Sequence, residues 1–148
     1  MILKKFKLSH EKQYFVVYVF DSLRSMRNFI KARDKAWGRQ EHKIKGVNGY
    51  FGFAAMTDPY VKFRVNKDGS ETEEGEIGSI YFSKTNFGNT VVCHECIHAA
   101  LWIYRLQDPN GVANFGKGKV EHEETFARIY HKLFRKMVMK MYRYKFWK

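Results

Sequence analysis

A chain of 148 residues has the length of one domain with one core, and a hydrophobic fraction of 45%, with 13 Phe, 9 Tyr and 3 Trp, excludes a disordered chain. Two cysteines are too few for a disulfide scaffold, and the longest apolar run, Tyr14 to Phe20, is far below the roughly 20 residues needed to cross a bilayer as a helix. The net charge of +12 points to an acidic partner: nucleic acid, an anionic membrane surface or an acidic polypeptide.

The opening Met1-Ile2-Leu3-Lys4-Lys5-Phe6-Lys7 is charged and is not followed by the apolar core of a signal peptide, so a cytoplasmic protein is expected. Residues 12–20 are dense in β-branched and aromatic side chains and read as a buried strand. Asp21 or Ser22 caps an amphipathic helix from Ser22 to Trp37, with Leu23, Met26, Ile30 and Trp37 on one face, and Gly38 ends it. Residues 39–49 are polar and basic and predict a loop. Strand signals return over 50–56 and 60–65, with Thr57-Asp58-Pro59 between them as a turn. The alternation of Val61, Phe63 and Val65 with Lys62 and Arg64 predicts a sheet with one wet face. Asn66 to Glu76 is a polar connection holding an acidic patch, expected as a hairpin tip, and Ile77 to Ser83 forms the next strand.

Residues 89–107 contain neither Gly nor Pro and lie between Gly88 and Asp108-Pro109. Asn89 or Thr90 is the expected N-cap. Val92, Cys96, Ala99, Ala100 and Ile103 recur at helical spacing, and beside this stripe run His94, His98, Leu101, Trp102 and Arg105. The helix carries His94-Glu95-Cys96-Ile97-His98, an H-E-x-x-H motif. Residues four apart on a helix are stacked with Cβ atoms about 5–6 Å apart, so His94 and His98 can aim two imidazole nitrogens at one zinc ion. Glu95 is turned aside by about 100° and reaches a metal-bound water rather than the metal, where a carboxylate acts as general base. Cys93 and Cys96, in C-x-x-C spacing, face away from the histidines and are expected to pack.

Residues 108–119 form a Gly-rich connection, and Glu121 to about Tyr144 forms a long helix whose inward face is His122, Phe126, Ile129, Leu133, Met137 and Met141. Its first turn is acidic and every later charge is basic; Lys132, Lys136 and Lys140 are the candidate nucleic-acid contacts.

A catalytic zinc takes three protein ligands and keeps one open position. Glu124 is the preferred third ligand, because Ala127, one turn on, allows close approach of the two helices; Glu123, Glu121 and His122 are the alternatives. With H-E-x-x-H at 94–98 and E-x-x-A at 124–127, the chain resembles the zincin metallopeptidases, particularly the gluzincin branch, and its element order resembles the small bacterial and phage domains of the ImmA/IrrE-like family. Arg128 stands where gluzincins often carry an acid. The resemblance implies a single α+β domain over 1–148: a mixed sheet of about four strands on three helices, in the order β-α-β-β-β-α-α. It implies zinc on His94, His98 and Glu124, with Glu95 as general base and acid. It also implies that strand 77–83 is the edge strand, with Ser79, Ile80 and Tyr81 pairing with an extended protein or peptide substrate. His131 or Tyr130 is the candidate for a further electrophile. The expected activity is zinc-dependent hydrolysis of a peptide bond. The competing expectation is a non-catalytic zinc protein whose basic surface engages nucleic acid or a protein.

Overall fold

The computed structural model describes residues 1–39 and 54–148; the loop expected from residue 40 onward and the start of the strand expected over 50–56 lie outside the described residues. At the start of the chain Phe6, Leu8 and His10 are buried while Lys5 and Lys7 are exposed, and this two-residue period makes Ile2–His10 a strand, β1. This strand precedes the first one expected from the sequence, at residues 12–20. The chain turns at Glu11, whose φ is 54°, into β2 (Gln13–Phe20), which pairs antiparallel with β1. Helix α1 (Leu23–Ala36) follows, with Ser22 as the N-cap accepting a hydrogen bond from the Ser25 amide at 3.2 Å.

Strand β3 (Ala55–Pro59) runs through the Thr57-Asp58-Pro59 segment that local composition marks as a turn. Asp58 is buried and is held from α1 and its C-terminal extension by Arg33 and, at 2.7 and 2.8 Å, by Arg39. Long-range ion pairing of this kind overrides a local turn preference. The short strands β4 (Phe63–Val65) and β5 (Glu71–Glu73) form a separate two-stranded ribbon. The dry face expected at β4 is absent, since Phe63 and Val65 are 49% and 69% exposed.

Strand β6 (Glu76–Ser83) lies inside the four-stranded sheet, whose order is β1-β2-β6-β3. It pairs parallel with β2 and antiparallel with β3. The pairing with β2 skips a residue beside Gly78, which brings Ile77, Ile80 and Phe82 onto one face. That face packs against helices α2 (Asn89–Gln107) and α3 (Val120–Arg143), through Cys96, Ala99, Ala100 and Ile103 of α2 and Ile129, Leu133, Met137 and Met141 of α3. The opposite face packs Phe20 and Tyr81 against Met26 and Ile30 of α1. The described residues therefore form an α+β fold with a mixed four-stranded sheet and three α-helices, α1 on one side and α2 with α3 on the other.

The position of β6 corrects the expected substrate strand. Ser79, Ile80 and Tyr81 are all buried, and their strand has partners on both sides, so no edge is left for strand addition there. Among the described residues the edge beside the motif helix is β3. Among the described residues, too, no helix is long and apolar enough to cross a membrane.

Candidate metal centre

Helix α2 starts after Gly88, which holds the N-cap position without a side-chain bond in place of Asn89 or Thr90, and stops at Asp108 ahead of Pro109. Its packed stripe fixes the rotation of the helix, burying Val92, Cys96, Ala99, Ala100 and Ile103. His94 and His98 consequently stand on the exposed side. Their Nε2 atoms are 3.0 Å apart and their rings meet edge to face at 77°. Two Nε2 atoms at this separation either share one proton-bearing contact, with one ring as donor and the other as acceptor, or turn both lone pairs to a common cation. Two nitrogens at 2.0–2.1 Å from a tetrahedral zinc lie about 3.3 Å apart. The pair therefore fits two positions of such a site with little rearrangement.

Glu95 is turned from the histidines toward the sheet and is buried. Thr57 of β3 reaches it: Oγ1 lies 2.6 Å from Glu95 Oε2 and 3.1 Å from the Glu95 carbonyl oxygen. Burial pushes the Glu95 carboxyl above its ordinary pKa, with the Thr57 hydrogen bond and the two histidines pulling the other way. Two turns further along α2, Trp102 donates from Nε1 to the Ile77 carbonyl at 2.8 Å, tying the helix to the sheet. Between β3 and α2 lies a cleft of about 520 Å³, lined by Ala55, Met56, Thr57 and Pro59 from the strand and by His94, Glu95, His98, Leu101, Trp102 and Arg105 from the helix.

The other expected site residues lie elsewhere. Glu124 is 63% exposed and sits 3.9 Å from Arg128, four residues on along its own helix. It precedes the buried Ile129 by five positions, a rotation of about 140° off the packed face, and so points away from α2. Glu123 accepts a hydrogen bond from the Gly116 amide at 2.6 Å, Glu121 is exposed, and His122 is bonded through Nδ1 to the Tyr104 hydroxyl at 2.7 Å. Among the described residues no third histidine, cysteine, aspartate or glutamate joins His94 and His98 in a metal-sized cluster. The donor set thus fits two ligands of the expected three, and the Glu124 assignment fails on helix rotation.

Tyr130 faces α2 but spends its hydroxyl on Cys93 Sγ at 2.9 Å, and burial raises its pKa. His131 is exposed, about 200° around the helix from Ile129. Neither lines the cleft. Cys96 is fully buried in the core with its thiol pushed up to about 12 by burial, and both cysteines are free. Cys96 packs in the core, and Cys93 is partly buried against the Tyr130 hydroxyl.

Two cleft residues escaped sequence reading as site residues. Thr57 gives no local signal, because its partner is 38 residues away. Arg105 was legible: it follows His98 by seven residues on the same strip of α2, which places a cation at the far end of the cleft. No family model, curated protein or solved structure matches this chain.

Proposed function

We propose that the chain is a zinc-dependent peptidase that hydrolyses a peptide bond in a protein substrate bound between β3 and α2. The observation that carries this reading is the pair of Nε2 atoms 3.0 Å apart beside a buried carboxylate held by the neighbouring strand. His94 and His98 would hold the ion. When bound, zinc supplies Lewis acidity toward a carbonyl oxygen and lowers the pKa of water to about 7.

The remaining chemistry belongs to the chain's own groups. Glu95, already displaced upward in pKa by burial, accepts a proton from the attacking water and returns it to the leaving amine, so that hydroxyl ends on the carbonyl carbon and the proton on nitrogen. Thr57 fixes the carboxylate from the opposite wall. An extended substrate adds to β3, in place of the β6 residues expected from the sequence, through main-chain hydrogen bonds. Arg105 supplies a cation where the cleft ends. Two free cysteines suit a reducing compartment, which supports a cytoplasmic setting.

The test is metal content by mass spectrometry on protein purified without chelators, followed by cleavage of a mixed peptide library. About one zinc per chain is expected in the wild type and in Glu95→Gln, with loss in His94→Ala; cleavage should disappear in both variants. A folded wild type that refuses added zinc sinks the proposal. Zinc retained without any cleavage would favour the non-catalytic binding protein instead.

A further inference from the structure

The excess positive charge of this chain comes from its two ends. Residues 1–10 and 125–148 together carry eleven of the 27 Lys and Arg and none of the 15 Asp and Glu. The rest of the chain, with 16 cations against 15 carboxylates, is nearly neutral. The two segments meet in the structure: Lys136 of α3 donates from Nζ to the Ser9 carbonyl of β1 at 2.7 Å, and Lys140 lies 5.9 Å from the centre of the Phe6 ring. A groove of about 420 Å³ runs between strand and helix, with Lys7 on one wall and Lys136, Lys140 and Arg143 on the other.

Helix rotation extends this wall. Taking the buried Ile129 as the inward direction, Lys132, Arg135, Lys136, Lys140 and Arg143 fall within about 140° of one another on the side toward β1. From Lys132 to Arg143 the strip is about 16 Å long at 1.5 Å per residue, which matches the rise of about five phosphates of one strand, at about 3.4 Å each, along a duplex axis.

We infer that this strip and groove form a nucleic-acid-binding surface that contacts the phosphate backbone without reading sequence. A membrane surface fits less well. An interfacial helix inserts a broad exposed apolar face, but the apolar face of α3, Ile129, Leu133, Met137 and Met141, is spent on the core, leaving Met139 and Tyr142, 62% and 55% exposed, as the large apolar side chains among the cations. None of these residues lines the cleft of the candidate metal centre, so the inference stands apart from the peptidase reading.

The experiment is fluorescence anisotropy with labelled 20-nucleotide DNA of mixed sequence, single-stranded and duplex, at 50 and 200 mM salt. The variant Lys132→Gln/Arg135→Gln/Arg143→Gln changes exposed residues only; a control, Arg24→Gln/Lys31→Gln/Lys35→Gln on exposed positions of α1, removes the same charge elsewhere. Binding by the wild type should weaken steeply with salt. The strip variant should lose at least about tenfold in affinity and flatten the plot of log K against log salt by about 2–3, while the α1 control changes less than about twofold. Lys7→Glu, on the opposite wall, should also weaken binding. The inference is overturned if the wild type fails to bind DNA at 50 mM salt, if the α1 control loses as much as the strip variant, or if poly-glutamate or anionic vesicles bind as tightly as DNA.

Discussion

Thr57 on the edge strand donates its hydroxyl to the Glu95 carboxylate across 2.6 Å, joining two walls of the cleft through one half-buried hydrogen bond. A buried carboxylate deprived of its donor keeps its desolvation cost without compensation. Thr57→Val, which preserves shape but removes the hydroxyl, should therefore destabilise the fold by about 1–3 kcal/mol in urea titration, while Thr57→Ser should stay close to wild type. On a peptide identified by the library screen, the valine variant should lose turnover and the serine variant recover it. Equal stability and equal turnover for all three proteins would show that Thr57 only lines the cleft.

Helix rotation makes a distinct prediction about metal. Because Glu124 points off the packed face and sits beside Arg128, Glu124→Ala should bind zinc as the wild type does, whereas His98→Ala should not. With zinc at 100 times its Kd, wild-type stability should rise by about 2.7 kcal/mol, seen as an increase in Tm that is kept in Glu124→Ala and absent in His98→Ala. Loss of the zinc-dependent Tm increase in Glu124→Ala would restore the third-ligand assignment made from the sequence.

What the sequence could and could not disclose divides by range. Helix α2 and its two histidines were legible because the motif, the apolar period and the flanking Gly88 and Pro109 agree locally. The orientation of Glu124 was legible too, since His122, Phe126 and Ile129 define an inward face that residue 124 does not share, and Ala127, expected to bring the two helices together, is itself exposed. Strand β1 was missed because its lysines are the exposed half of an edge strand, and period-two alternation over so few apolar residues is faint. The true edge beside the motif was out of reach, since strand order depends on β6 pairing with a strand some 60 residues earlier and on Asp58 finding Arg33 and Arg39.

Gly78 tests how tightly β3 is held. A Cβ built there would come 2.6 Å from the Phe15 ring and 2.7 Å from the Asp58 carbonyl oxygen, and backbone on one side leaves little room for relief. Gly78→Ala should cost about 1–3 kcal/mol or more, measured by chemical denaturation. Since Asp58 adjoins Thr57, the same substitution should displace the strand that holds Glu95 and reduce peptide turnover. A variant as stable as wild type would mean that β3 and β6 separate at little cost.

His10 closes β1 in a buried position. Its pKa lies below the ordinary 6.5, first because burial disfavours the charged ring, with Lys132 and Lys136 adding to the effect and Glu11 opposing it. A histidine that binds its proton less readily when folded than when unfolded contributes stability above 6.5 that is lost as the pH falls through its depressed folded value. The wild type should therefore lose more Tm than His10→Gln between pH 7.5 and pH 5, with the two curves converging on the acid side. Lys132→Gln removes one of the cations that depress His10, so it should narrow the same gap. Parallel curves for wild type and His10→Gln across this range would mean that His10 titrates alike in the folded and unfolded chain.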